Sequence, residues 1–471
     1  MASVSTPRGN LMRCLCAFLC ILACALLSAR AQDVKVGNKT LKQWSAALKH
    51  DQAKVRYQTL VALYEAGEDA ARLAKDVSLL LKDPQAAIRR AAAQVLANFK
   101  GEAAPAVPAL VAALRDSDYW VRQFAAQALT EIGEPAGVPL VSLLADKDAN
   151  TRFYAIVAIN GLALQAKEVA QALGKATKDA NATVRSAALF ALAKIESNDP
   201  EIFAILGAAL GDKEKQVRLS AANILVSKGK QASEALINAA DDQKVEQRVL
   251  ALQTLAALGE EIDDKGVLAL RKALGDDEVR VRQTAALGLA NLGAKARPLG
   301  GDAELFEALA KLLKDKDAQL RRTVVHALGQ LGSSDAGEMK TVAGALKDTD
   351  ALVRSFAVQA LAKYLKEADG EEDRKLLMDG LLGALKDGDR RVQFLAAQGL
   401  AQQTIFAIEP LTKLVEEGKG AQRLWAATIL GEIGPGAADA VPALQKMSRD
   451  MNAEVRRVAL SALQKVQAEP K

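Results

Sequence analysis

Apolar residues recur through this chain at three- and four-residue spacings, in short runs separated by acidic turns. In residues 104–133, Val107, Leu110, Val111 and Leu114 make one such stripe, and Val121, Ala125, Leu129 and Ile132 make a second. This spacing predicts helices with one buried face. Pro105 and Pro108 fall where a first turn tolerates proline. Asp116-Ser117-Asp118 supplies turn and N-cap chemistry, and Gly133 suits a helix end. The segment therefore reads as two helices joined by an acidic turn. Neither helix is long enough to be stable alone in water. The pair cannot cover its own apolar stripe, so the next pair must.

The same unit returns along the whole chain. An acidic residue is followed after five residues by Arg, then by Ala-Ala and Leu. The pairs are Asp116 and Arg122, Asp146 and Arg152, Asp179 and Arg185, Asp212 and Arg218, Asp276 and Arg282, Asp315 and Arg321, Asp348 and Arg354, and Asp450 and Arg456. Arg56, Arg89, Arg248 and Arg423 occupy the Arg position in further units, and Gln393 replaces it in one. Steps between units are 30, 33 or 34 residues, apart from two of 39. A fixed period in this range means stacked supersecondary units. The fold class expected is an all-α, right-handed α-solenoid of about 13 helix-turn-helix repeats, one continuous array over residues 32–471. Three departures stand out: Asp51 is five residues before Arg56, Glu417 stands in the acidic place before Arg423, and Gln393 predicts a weaker ladder near 387–393. Two insertions lengthen their units, one near 295–302 and a charged one near 366–375. Both read as tolerated surface loops.

Composition narrows the picture. Hydrophobic content is 50% but aromatics only 4%, so Ala and Leu carry the apolar load, which suits close-packed helices. The first 31 residues read as a secretory signal peptide, with Arg8 and Arg13, an apolar run from Leu15 to Leu27, and Ala29-Arg30-Ala31 before Gln32. Cleavage there implies a periplasmic or extracellular protein; lipidation at Cys24 is the alternative. All four cysteines (Cys14, Cys16, Cys20, Cys24) lie in this segment, so a mature chain would hold no disulfide, thiol nucleophile or Cys-zinc site. The mature chain keeps 59 bases against 57 acids, a net of +2, which argues against nucleic acid as partner. No second apolar run is long enough to span a membrane. A monomer is expected.

The core Asp116 to Leu129, D-x-D-x-x-V-R-x-x-A-A-x-A-L, resembles the HEAT repeat, and more narrowly the bacterial PBS-lyase-type HEAT-like class. The resemblance covers nearly all of residues 40–466. The opening Val36-Gly37-Asn38-Lys39-Thr40-Leu41-Lys42-Gln43-Trp44 is similar to the start of exported bacterial HEAT-repeat proteins. The resemblance implies an acid–Arg ladder between successive repeats, with Asp146 reaching Arg152 or the Arg of an adjacent unit. It also implies that second helices line a concave binding face.

Numbering from the ladder Arg as zero, that face centres on positions +1, +5 and +8. The candidate partner-binding residues are Tyr57, Arg90, Gln94, Gln123, Gln127, Phe153, Phe190, Asn223, Gln253, Gln283, Arg322, His326, Gln359, Phe394 and Gln398. The +1 and +5 rows contain no Asp or Glu, although the chain has 57 acids. Amides and aromatics without acids suit a polypeptide, whose backbone pairs well with Gln and Asn.

Chemistry is harder to find. The only histidines, His50 and His326, lie in units far apart, which leaves no metal pair and few candidates for a triad. Asp146-Lys147-Asp148-Ala149-Asn150 imitates the start of an EF-hand loop but continues with Thr151 instead of Gly. Deoxyhypusine hydroxylase resembles the chain in repeat type, yet its paired His-Glu motifs have no counterpart, because His50 precedes Asp51 and His326 precedes Ala327. Bilin lyase subunits share the repeat type but not an export signal. The expectation is a non-catalytic, cofactor-free scaffold that holds a protein or peptide. A lyase- or hydroxylase-like accessory subunit and a binder of envelope polymers are the alternatives.

Overall fold

A computed structural model describes residues 35–162, 167–195, 199–297, 302–333, 335–402 and 404–468. The expected signal peptide and its four cysteines lie outside the described residues, as do positions 298–301 of the first insertion.

The fold is an all-α solenoid. Thirteen second helices succeed one another among the described residues: Ala53–Ala66, Ala86–Asn98, Tyr119–Ile132, Ala149–Leu162, Ala182–Lys194, Lys215–Ser227, Val245–Ala257, Val279–Leu292, Ala318–Leu331, Ala351–Glu367, Arg390–Ala401, Ala421–Ile433 and Ala453–Val466. Each follows a first helix, such as Val107–Ala113 before Tyr119–Ile132. Contacts group the chain into two compact units, one ending at Ala221 and one beginning at Ala222. Within each unit, Lys215–Ser227 at the division aside, every second helix packs on its own first helix and on the second helix beside it.

The repeat at 104–133 shows why these residues fold as they do. Asp118 has extended backbone and accepts a hydrogen bond from the Val121 N–H, capping Tyr119–Ile132. Gly133 ends that helix at φ 88°, a left-handed conformation that a Cβ would strain. Val121, Ala125 and Leu129 are buried, and so is Ala126, which leaves room for close approach by the neighbouring helix.

Glycines do the same at tighter crossings. At Gly431 an added Cβ would lie 2.9 Å from the Ala462 Cα and 3.2 Å from its Cβ. Backbone cannot swing aside, so Gly431→Ala should destabilise the last repeats by about 1–3 kcal/mol despite its better helix propensity. Urea unfolding followed by far-UV circular dichroism checks this; unchanged or raised stability would contradict the packing account.

The described residues begin with a short antiparallel hairpin, Lys35–Val36 paired with Lys39–Thr40. The Trp44 indole N–H donates to the Val36 carbonyl at 3.0 Å, and Lys39 lies 4.5 Å over the ring. Thr40 and Gln43 form a reciprocal capping box at the start of Leu41–Leu48.

The charged insertion is not a loop. Its first residues extend Ala351–Glu367 to 17 residues, and its last residues begin Glu371–Ala384, leaving only residues 368–370 between helices. Glu371, Glu372 and Asp373 fill a first helical turn, where negative charge offsets the helix dipole, and the Arg374 Nε donates to the Ala368 carbonyl. The lengthened helix buries Tyr364, whose hydroxyl donates to the Leu328 carbonyl. The other insertion is clasped at its start. Arg297 donates to the Gly332 carbonyl, pairs with Glu338 at 3.3 Å and lies over the Phe306 ring.

Candidate functional face and its ladders

A regular ladder arginine bonds in two directions, to its own turn and to the next repeat. One guanidinium nitrogen of Arg152 donates to the carbonyls of Asp146 and Lys147 in its own turn, at 2.8 and 3.2 Å. The other edge grips both oxygens of Asp179 in the next repeat, at 2.6 and 2.7 Å. The same fork joins Arg89 to Asp116, Arg185 to Asp212, Arg248 to Asp276, Arg321 to Asp348 and Arg354 to Asp387. Arg56, Arg282 and Arg423 reach Asp83, Asp315 and Asp450 through one nitrogen each. Each acid therefore serves its own turn through its carbonyl and the preceding repeat through its carboxylate. Arg218 and Arg456 hold the carbonyls of their own turns, Asp212 with Lys213 and Asp450 with Met451.

Burial is the largest influence on the Asp179, Asp212 and Asp276 carboxyls and raises them, but the arginine bond, a turn N–H bond and nearby cationic charge together outweigh it and hold them below the usual carboxylate range. The arginine bond is the leading cause at Asp348 and Asp387, which are also lowered.

The irregular rungs have local causes. Arg56 meets the carbonyls of both His50 and Asp51, so the shifted acid does not break the turn. Arg423 turns to the Val415 carbonyl at 2.7 Å, and Glu417 ends the preceding helix instead of supplying a rung. Gln393 keeps the turn bond to the Asp387 carbonyl and accepts from the Trp425 indole at 3.2 Å. An amide–indole bond thus replaces the ion pair.

At the step from Arg122 to the next repeat the ladder is re-routed. Asp146 is taken by Arg115. Arg122 lies instead over the rings of Tyr119 and Tyr154, at 6.0 and 5.5 Å, with its Nε buried and unbonded. The EF-hand-like carboxylates are occupied as well: Asp146 also accepts from the Asp148 N–H, and Asp148 caps Thr151.

The candidate partner-binding residues fall into two rows on the second helices, one and five residues after each ladder position. In the first unit Gln94, Gln127 and Phe190 are exposed, together with Tyr57, while Gln123 and Phe153 are half-buried. In the second unit Asn223, Gln253, Gln359, Phe394 and Gln398 are exposed. His326 is half-buried, 5.4 Å from the Phe356 ring, and burial lowers its pKa. They form rows across helices and not a pocket. Open grooves lie between first helices, as at Lys311, Lys314, Thr341 and Lys347, with about 480 Å³ of space.

Three candidates of the +1 row are engaged within the fold. Arg90 pairs in a two-bond fork with Asp118, and Arg322 does so with Asp350. Gln283 donates to Asp317 at 3.3 Å. These acids are the N-caps of the following helices, and the Arg90 bond pulls Asp118 down to about 2. This second ladder has a sequence signal, Arg or Gln at +1 facing Asp at −4 of the next repeat. Sequence reasoning also passed over Tyr119, Trp120 and Phe124, whose clustering within six residues was the available clue.

Comparison with known proteins adds the family. The description "HEAT repeats" matches residues 75–160, 137–227, 170–256, 306–383 and 378–464. A second description, non-SMC mitotic condensation complex subunit 1, matches residues 247–343. No curated protein matches the sequence. Among solved structures, the karyopherin Kap121p bound to the extreme C-terminus of the protein phosphatase Cdc14p is similar at 15% identity and TM-score 0.56, over 99% of this chain and 57% of that one. Kap121p bound to Nup53p gives 14% identity and TM-score 0.55, over 98% and 57%. Kap121p bound to Pho4p gives 14% and 0.54, over 94% and 55%. The chain thus spans little more than half the length of these structures, and the likeness is one of fold.

Proposed function

The chain belongs to the HEAT-repeat family, and we propose that it is a non-catalytic scaffold that holds a polypeptide along its second helices. The observation that carries this reading is the exposed +5 row. Gln94, Gln127, Gln253, Gln359 and Gln398 recur there without an intervening acid, interspersed with Val157, Phe190, Asn223, Leu287 and His326. Amides on a rigid helical array can pair with the carbonyls and N–H groups of an extended chain. Exposed rings supply apolar anchors. The acids of the neighbouring turns are already bonded to arginines and cap N–H groups, so they repel little. Kap121p, whose fold is similar, has been captured with the C-terminus of Cdc14p, with Nup53p and with Pho4p. The reading extends to location: we place the mature start at Gln32 after export, which an intact mass of the purified protein tests.

Affinity capture with residues 32–471 tests the scaffold. A variant with Tyr57, Phe153, Phe190 and Phe394 replaced by Ala serves as comparison, once its helicity matches. Tyr57, Phe190 and Phe394 are 45%, 48% and 56% exposed, so their truncation should spare the fold. A polypeptide retained by the parent and lost by the variant is the expected result. Equal retention by both would contradict it.

A further inference from the structure

The re-routed rung coincides with an unusual concentration of rings. The chain has 18 aromatic residues in 471, yet five lie between 119 and 154 and touch one another. Tyr119 meets Trp120 edge-on at 5.2 Å, and Trp120 stacks on Phe124 at 5.8 Å with planes 26° apart. Tyr119 meets Tyr154 at 6.5 Å, and Phe153 meets Tyr154 at 5.3 Å. Tyr154 is buried and anchors the group. Tyr119 and Trp120 are 53% and 49% exposed. Arg122 lies against Tyr119 and Tyr154 while Arg115 takes the Asp146 carboxylate that a regular rung would give it. An ion-pair rung has thus been given up where the rings assemble, and rule-breaking of this kind marks functional surface.

We propose that this slab binds a proline-rich, uncharged segment in the polyproline II conformation, laid across the second helices of the first unit. The inference rests on the scaffold reading above and names its partner's chemistry. Three features select the occupant. Stacked Trp120 and Phe124 leave no slot between their rings, so a ligand must lie on the slab, as the flat face of a proline ring can. Three flanking cations are matched by carboxylates, Arg89 with Asp116, Arg90 with Asp118 and Arg115 with Asp146, and the Arg122 guanidinium is spent on the Asp116 and Ser117 carbonyls and the Tyr119 and Tyr154 rings. A charged segment therefore gains nothing here over a neutral one. Finally, the periods agree. Polyproline II advances about 9 Å per three-residue turn, and packed helices lie roughly 8–10 Å apart. A segment crossing the helices presents one face to each repeat in turn. That face meets Trp120 and Phe124, then Phe153, then Phe190, with Gln94 and Gln127 beside them as donors for the free carbonyls. A preformed helix also loses little freedom on binding.

Titration calorimetry of residues 32–471 with an end-blocked oligoproline of about nine residues tests the proposal. Saturable binding is expected, weakened about tenfold or more in Tyr119→Ala/Trp120→Ala. Trp120→Phe, which keeps a ring on the slab, should retain most of the affinity, and circular dichroism should show both variants folded. Equal binding of a peptide with glycine in place of proline would overturn the proposal. So would an unaffected double variant, an absence of binding, or Trp120-dependent binding of a neutral oligosaccharide with none of oligoproline. If oligoproline fails while the four-aromatic comparison still shows a captured polypeptide, only the proline chemistry falls. If both fail, the scaffold reading falls with it.

Discussion

Replacing Arg185 by Ala should lower the stability of the first unit by about 3–5 kcal/mol, the usual penalty for removing one partner of a buried ion pair. The Arg185 side chain is 4% exposed and its Asp212 partner 13%. Four bonds vanish together, two to the Asp212 carboxylate at 2.7 and 2.8 Å and two to the carbonyls of Asp179 and Ala180 at 2.9 and 3.1 Å. What remains is a largely buried carboxylate that keeps the Glu214 N–H and the nearby Lys213 charge but has lost its bonded counter-ion. Arg185→Lys should rescue little, because a point charge cannot span two oxygens and two carbonyls as the planar fork does. Because contacts in a solenoid are between neighbours, the loss should appear as early melting near residues 170–221. Hydrogen exchange resolved by peptide reads both size and place. Uniform protection equal to the parent would contradict the ladder's structural role.

Acid should act on many rungs at once. The Asp179, Asp212, Asp276, Asp315, Asp348 and Asp387 carboxyls are all held below their ordinary value in the folded chain. A carboxyl lowered by folding adds stability above its unfolded pKa, near 3.9, and that stability is lost as pH falls toward and through the folded value. The chain should therefore hold its stability from neutral pH down to about pH 5 and lose it steeply below about pH 4. Urea midpoints at pH 7 and pH 3 give the comparison. Equal midpoints would mean that the rungs contribute nothing net to folding.

These rungs also show what could be read from the sequence. The helical pairs were legible because apolar spacing, Asp caps and terminal glycines agree in every unit, as Asp118 and Gly133 illustrate. The ladder between repeats followed from the resemblance, but its re-routing at one step did not: the Asp146 carboxylate meets Arg115 and not Arg122. There Arg122 lies against the rings of Tyr119 and Tyr154, a contact that no one-dimensional spacing encodes. The segment 366–375 looked like a loop because its charge density hides a helix start. Its three acids are N-terminal charges of Glu371–Ala384. On the candidate face, exposure at +5 followed from helical geometry. The engagement of Arg90 and Arg322 did not, because it needs a neighbour's N-cap carboxylate to be at hand. Likewise, the sequence showed that aromatics are scarce, but not which of them touch.

The central claim is that the second helices hold a polypeptide. A photo-crosslinking amino acid placed singly at Gln94, Gln127, Gln359 and Gln398, and for comparison at Lys175, Lys311 and Lys386 on the first-helix side, tests it most directly. Crosslinks to one polypeptide are expected from the four glutamine positions and none from the lysines. Crosslinks from the lysines alone would contradict it.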